Sequence, residues 1–102
     1  MHVGVLRLTL HIPHARSLKD KRATVRRFRD RVRARFDVSI AEVDSQDLLQ
    51  LAVFGVAVVS ADRAVCDSVM ADVAREAEVA PDAVLSRRET EIVTFGEDFY
   101  GG

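Results

Sequence analysis

Five basic side chains follow one another at steps of three and four residues: Lys19, Arg22, Arg26, Arg29 and Arg33. On a helix that spacing stacks them along one flank. Such a row can neutralise a run of phosphates, and guanidinium groups suit the task because each can donate two parallel hydrogen bonds to one phosphate. At the standard helical rise the row is about 21 Å long, enough to track several phosphates. Binding of this kind weakens with salt, since each neutralised phosphate releases counterions. The row belongs to a larger concentration of charge. Ten of the fifteen basic residues lie between Arg16 and Arg35, and only Asp20 and Asp30 oppose them, which leaves the segment at +8 in a chain of net charge −1. The rest of the chain is correspondingly acidic. Arg27, Arg31 and Arg35 form a second row on the other flank. Lys21 falls nearer the apolar side, where its stem can pack while the ammonium reaches water. The competing reading of the whole segment is a solvated face paired with acidic groups from elsewhere in the fold or from another subunit.

Other residues with chemical potential are less organised. Glu42, Asp44 and Asp47 cluster near a turn and offer oxygen ligands, but without the spacing of a calcium loop. Turn formation and pairing with basic side chains account for them. His11 and His14 have the separation of two metal ligands, yet Pro13 breaks the helix that would aim them together, and no thiolate or carboxylate completes a zinc set. Cys66 has no neighbouring histidine to activate it and reads as a packed thiol. Ser39 and Ser60 have no local base. The chain contains no phosphate-binding glycine loop, dinucleotide fingerprint or nucleophile elbow. No catalytic residue, metal or cofactor is assigned.

The elements that would position the basic row follow from periodicity. The 102 residues, 48% of them hydrophobic, make one domain spanning residues 1–102. No run has the length of a membrane span or a leader's cleavage pattern, and a lone cysteine fits a reducing compartment, so a cytoplasmic location without membrane contact is expected. Residues 1–12 alternate as a strand, closed by Pro13. Ser17 caps a helix running to about Arg35, with Leu18, Val25, Phe28 and Val32 as its core stripe. A strand over 36–43 leads through the polar turn 44–47 to a central strand over 48–59, apolar on both faces. Gly55 within it marks a bulge or a close backbone approach. A second helix opens at Ser60–Asp62 and buries Val65, Val69, Val73 and Ala77, and a last strand spans about 88–95. The tail beyond, with Glu97 and Asp98, is acidic and glycine-rich.

The order βαββαβ, with right-handed crossovers, predicts an α+β ferredoxin-like sandwich. Its four-stranded antiparallel sheet takes the order 4-1-3-2, with both helices on one face. The opposite face would carry Val3, Val5, Arg7 and some of Phe54, Val56 and Val58. Part of it is apolar, and a homodimer through that open sheet face would cover it.

Several stretches resemble the YlxP-like family of small bacterial proteins: the opening strand, the run from Ser17 to Arg22 (Ser-Leu-Lys-Asp-Lys-Arg), the run from Arg35 to Glu42, Asp47 to Gln50, and Val59-Ser60. The resemblance spans about residues 3–75. Asp37 stands where the family pattern has asparagine, and Leu49 where an aromatic is common. The resemblance implies a ferredoxin-like fold without an assigned activity. The family's gene neighbourhood implies association with RNA or the ribosome.

Together these features predict a small, non-enzymatic RNA- or ribosome-associated protein, with ribosomal RNA as the partner and Lys19, Arg22, Arg26, Arg29 and Arg33 as the phosphate contacts. Lacking the sheet aromatics on which RNA recognition modules stack bases, it would read folded RNA by shape and phosphate position. The alternative is a structural or regulatory homodimer whose ridge meets an acidic protein. In the RNA reading, the acidic tail at Glu97 and Asp98 would mask the ridge until a partner arrives.

Overall fold

The computed structural model describes residues 1–96, so the tail with Glu97 and Asp98 lies outside the described residues. The elements are β1 (His2–His11), α1 (Leu18–Arg35), β2 (Ser39–Asp44), β3 (Leu51–Ser60), α2 (Arg63–Glu78) and β4 (Val84–Thr94). β1 pairs antiparallel with both β3 and β4, and β2 adds to the far side of β3, giving the order β2-β3-β1-β4. This is the ferredoxin-like α+β arrangement read from the pattern, counted from the opposite edge.

Alternation along β1 decides which face is the core. Leu6, Leu8 and Leu10 are fully buried and join Phe28 and Val32 of α1 and Val73 and Ala77 of α2 in one cluster, so both helices cover the same face. Because antiparallel partners share a face, Leu8 opposite Phe54 and Leu6 opposite Val56 pull those residues inward as well. Phe54, Val56 and Val58 are therefore core and not, as the pattern left open, part of the other face. The Phe54 ring packs on Phe28 at 5.0 Å between centroids. The open face of β3 carries Val53, Gly55, Ala57 and Val59 instead. A strand apolar on both sides offers no alternation to read, and only its pairing with β1 sets its faces.

Two helix stripes also differ from expectation. In α2 the buried line runs through Cys66, Met70, Val73 and Ala77, while Val65 is exposed. Steps of four turn the helix about 40° too far each time, so a line through Val65, Val69, Val73 and Ala77 drifts off the core. In α1 the buried line is Lys21, Val25, Phe28 and Val32, and Leu18 is 39% exposed. Leu18 is rotated about 80° from Phe28, away from the sheet. Ser17 caps α1 as read from the sequence, its hydroxyl accepting the Asp20 N–H at 3.1 Å.

The strand limits shift because turns claim the flanking residues. Leu48 N–H donates to Ser45 C=O and Ile12 N–H to Gln50 C=O, so β3 starts at Leu51 and not at Leu48. β4 begins earlier than expected, at Val84, where His11 pairs with it. Two irregularities bend the sheet. Val43 is the extra residue where β2 shifts against β3, and Ser86 is the extra residue where β4 shifts against β1. The Ser86 hydroxyl donates to Thr9 C=O at 3.1 Å.

Two glycines permit close approaches. A Cβ on Gly4 would sit 2.9 Å from Val58 Cγ1 and 3.0 Å from Met70 Sδ, both in buried side chains. A Cβ on Gly55 would sit 2.9 Å from Val43 Cγ1, but Val43 is exposed and can yield. Gly4→Ala should therefore cost about 1–3 kcal/mol by overpacking, and Gly55→Ala less than about 1 kcal/mol. Urea unfolding of the two variants distinguishes them, and equal losses would contradict this packing.

Candidate functional site

The ten basic residues of the sequence segment do not form one surface. Arg16 precedes α1, and winding α1 against the sheet sorts the other nine into three sectors.

The sector facing α2 and the α2–β4 connection holds Arg27, Arg31 and Arg35. Arg27 donates to Asp82 Oδ2 from Nη2 at 2.6 Å and from Nε at 3.1 Å, and its Nη2 also meets the Thr24 hydroxyl. Thr24 in turn donates to Asp82 at 3.2 Å. Burial tends to raise the Asp82 carboxyl, but the hydrogen bonds from Arg27 and Thr24 and the Arg27 charge outweigh it, leaving Asp82 below the usual carboxylate range. Glu76, 7% exposed on α2, takes Arg35 on one oxygen and lies 3.7 Å from Arg31 on the other. For this row the pairing reading holds: acidic groups distant in sequence neutralise it.

Lys21 occupies a second sector by itself. It is 1% exposed, and its ammonium does not reach water as its chain length suggested. Nζ donates to Ser45 C=O at 2.6 Å and Gln46 C=O at 3.2 Å, and lies 3.0 Å from Glu42 Oε2. That oxygen is enclosed and lacks hydrogen-bond direction towards Nζ, so the contact is chiefly one of opposite charges at short range. The two carbonyls are turned towards the ammonium by Ser45, which adopts φ 57°, a left-handed conformation uncommon for a serine. Asp44 supports it by accepting the Ser45 N–H at 2.7 Å. Glu42 and Asp44 are thus engaged in holding the β2–β3 turn, while Asp47 is exposed. Lys21 ties this turn to α1.

The third sector is the ridge. Lys19, Arg22 and Arg26 are exposed, and none has a hydrogen-bond or ion-pair partner among the described residues. Arg29 is half-buried, with Nε 3.7 Å from the adjacent Asp30. Arg33 donates from Nη2 to Ile40 C=O at 3.1 Å, which holds the C-terminal end of the row against the edge strand β2. All five expected residues therefore share one flank of α1, and among the described residues the first three are unengaged. Sequence spacing found the row. It could not tell a paired guanidinium from a free one, because Glu76 and Asp82 enter from elements far along the chain.

The open sheet face has its own charge pair. Arg7 Nε and Nη2 each donate to Glu89 at 2.8 Å in a bidentate contact across β1 and β4. The hydrogen bond with Arg7 holds Glu89 below the usual carboxylate range, and the same contact raises Arg7. Around it lie Val5, Val59 and Val93, all exposed. Val3 is opposite both Val59 and Val93, so three valines form one row across the sheet. Cys66 is fully buried, its thiol directed at His2 C=O and Val58 C=O at 3.7 and 3.8 Å. No helix of the described residues is long and apolar enough to cross a membrane.

A family model described as protein of unknown function (DUF503) matches residues 3–90. The uncharacterized protein YlxP of Bacillus subtilis (strain 168) is 43% identical over 61 residues, 60% of this chain and 66% of that relative, just under two thirds of its length. Among solved structures, the de novo designed protein Foldit4 superposes with a TM-score of 0.54 at 12% identity, covering 94% of this chain and 100% of its own, a likeness of fold alone. A C-terminal segment of the alpha subunit of aIF2 from Pyrococcus abyssi gives 0.49 at 13% identity over 93% of this chain and 52% of that one.

Proposed function

The chain belongs to the DUF503 family of proteins of unknown function, so its activity must be read from its own surface, and we propose that it is a small non-enzymatic RNA- or ribosome-associated protein that contacts phosphates through the ridge on α1. One observation carries this reading. Acidic partners neutralise Arg27, Arg31 and Arg35, and Glu42 takes Lys21, yet Lys19, Arg22 and Arg26 are exposed and have no partner among the described residues. Unpaired cations in a row favour a polyanion, because binding releases counterions without first breaking an internal ion pair. Arg29 and Arg33 extend the row towards β2 at the cost of their present contacts. With Phe54 in the core, the middle of the sheet has no exposed ring for base stacking, in keeping with recognition by phosphate position.

The test is binding to a folded ribosomal RNA fragment from about 50 to about 200 mM salt. The Lys19/Arg22/Arg26→Gln variant should bind with a log–log salt slope shallower by about three, roughly one for each cation removed. No binding by the wild type at low salt, or identical slopes for both proteins, would remove the RNA reading of this helix.

The valines of the open sheet face, with Val5, Val59 and Val93 exposed, favour a second reading, a structural or regulatory homodimer through that face whose ridge would meet an acidic protein. Arg7 and Glu89 neutralise each other there, which lowers the cost of covering them. Sedimentation should show a dimer that a Val5→Glu/Val59→Glu variant abolishes. A wild-type monomer at high concentration excludes it.

A further inference from the structure

At the N-terminal end of the ridge the molecule has an open groove of about 560 Å³ between the β1–α1 connection and the β2–β3 turn. Leu48, Leu49, Leu51 and Ala15 supply its apolar lining, and Arg16 and His11 its charged and aromatic lining. Leu48 and Leu49 are exposed there, whereas Ala15 is buried and forms floor.

The groove is held open by bonds between its two walls. Gln50 Nε2 donates to Pro13 C=O at 3.1 Å and Ala15 C=O at 3.2 Å, and Gln50 C=O accepts the Ile12 N–H at 2.9 Å. Lys21 fixes the same turn from the helix side through Ser45 and Gln46. A preformed apolar groove of this size lies in the range of sites for small organic groups, roughly 300–1,000 Å³.

What it could hold is constrained by its position. Arg16 lines it, and Lys19, Arg22 and Arg26 lead away from it at steps of about one helical turn. The side chains of these four residues have no hydrogen-bond or ion-pair partner among the described residues. An open apolar groove lined by Arg16, just ahead of a row of cations without partners among the described residues, matches the chemistry of a nucleotide, a flat weakly polar ring attached to a phosphate chain. His11 contributes an aromatic ring and Leu48, Leu49 and Leu51 apolar side chains to the lining, groups against which a base can pack.

We propose that this groove receives one unstacked base of a folded RNA, with the neighbouring phosphates on Arg16 and Lys19; the inference rests on the RNA reading of the ridge. The occupant is a base already extruded from a helix, because one slot cannot repay the unstacking of several. Gln50 also lines the groove, but its amide Nε2 is committed to Pro13 C=O and Ala15 C=O, so recognition would be chiefly apolar and tolerant of sequence.

The probes are three hairpin RNAs, one with a single bulged adenosine, one fully paired, and one with an abasic site at the bulge. Wild-type protein should prefer the bulged hairpin by about tenfold over both controls, the scale of one stacked base. A Leu48→Ser/Leu49→Ser variant, altered only at exposed positions, should lose that preference to within about twofold and keep its salt slope. Equal affinity of the wild type for all three RNAs, with a ridge-dependent slope, would overturn the base slot and leave the ridge reading standing. Absence of binding to any of them at low salt would remove both.

Discussion

Replacing Lys21 by methionine should cost the fold about 3 kcal/mol, because it leaves the largely buried Glu42 carboxylate, one oxygen of which is enclosed, without its cation. The carbonyls of Ser45 and Gln46 lose their donor at the same time, although both lie in a turn that water can reach. Methionine retains most of the stem's volume, so the loss measures the ammonium and not a cavity. Removing the other partner as well should recover much of it. In Lys21→Met/Glu42→Leu both charges are gone, and an apolar pair in place of a buried ion pair is often neutral or better. Urea midpoints at constant slope measure the cycle. A loss below about 1 kcal/mol in Lys21→Met would mean that the ammonium is not held in this way. The double variant carries a second expectation. With its tether to α1 gone, the β2–β3 turn should exchange its amide hydrogens faster even where global stability is restored.

Two variants of equal formal charge should behave in opposite ways. Lys19/Arg22/Arg26→Gln removes three exposed cations without partners among the described residues, so stability should stay within about 0.5 kcal/mol while RNA affinity near 100 mM salt falls about 10- to 100-fold. Arg27/Arg31/Arg35→Gln also removes three cations, but these engage Asp82 and Glu76. Glu76 is buried and would be left without either arginine. Since Arg27 and Arg35 are more than half exposed, the loss is smaller than for an enclosed pair, about 2–3 kcal/mol. RNA affinity of this second variant, where folded, should remain within about threefold of wild type. Equal loss of affinity in both would mean that net charge governs binding and the ridge has no special place in it.

The difference between those variants is also where the sequence stops being legible. Steps of three and four identified the ridge and its flank, since helix geometry is local. Which arginines are free depends on Glu76 and Asp82, whose approach is set by how α2 packs, a non-local fact. Lys21 shows a different limit. Its register with Val25, Phe28 and Val32 places it on the core stripe, and that signal was present in the chain. A lysine there ordinarily extends to solvent, and the left-handed Ser45 turn, which aims two carbonyls inward, together with the Glu42 carboxylate makes burial tolerable. β1 could be oriented from its own alternation, whereas β3, apolar on both sides, could not, and Phe54 was assignable only once Leu8 was known to lie opposite. The groove beside Arg16 arises from two loops meeting, and neither loop has a pattern of its own.

The place of β1 in the sheet has a consequence for how the chain is made. It lies between β3 and β4, and His2 pairs with Thr94. During synthesis the first strand leaves the ribosome with Leu6, Leu8 and Leu10 ready to bury, but its last neighbour is translated some eighty residues later. At about 5–20 residues per second that is a wait of several seconds. In that interval β1 can hold β3 along one edge, while its other edge stands open to any strand that arrives. Such distant pairing also makes folding slow for a domain of this size. Until β4 is complete, the open edge of β1 is therefore the place at which a strand of another chain could pair in its stead.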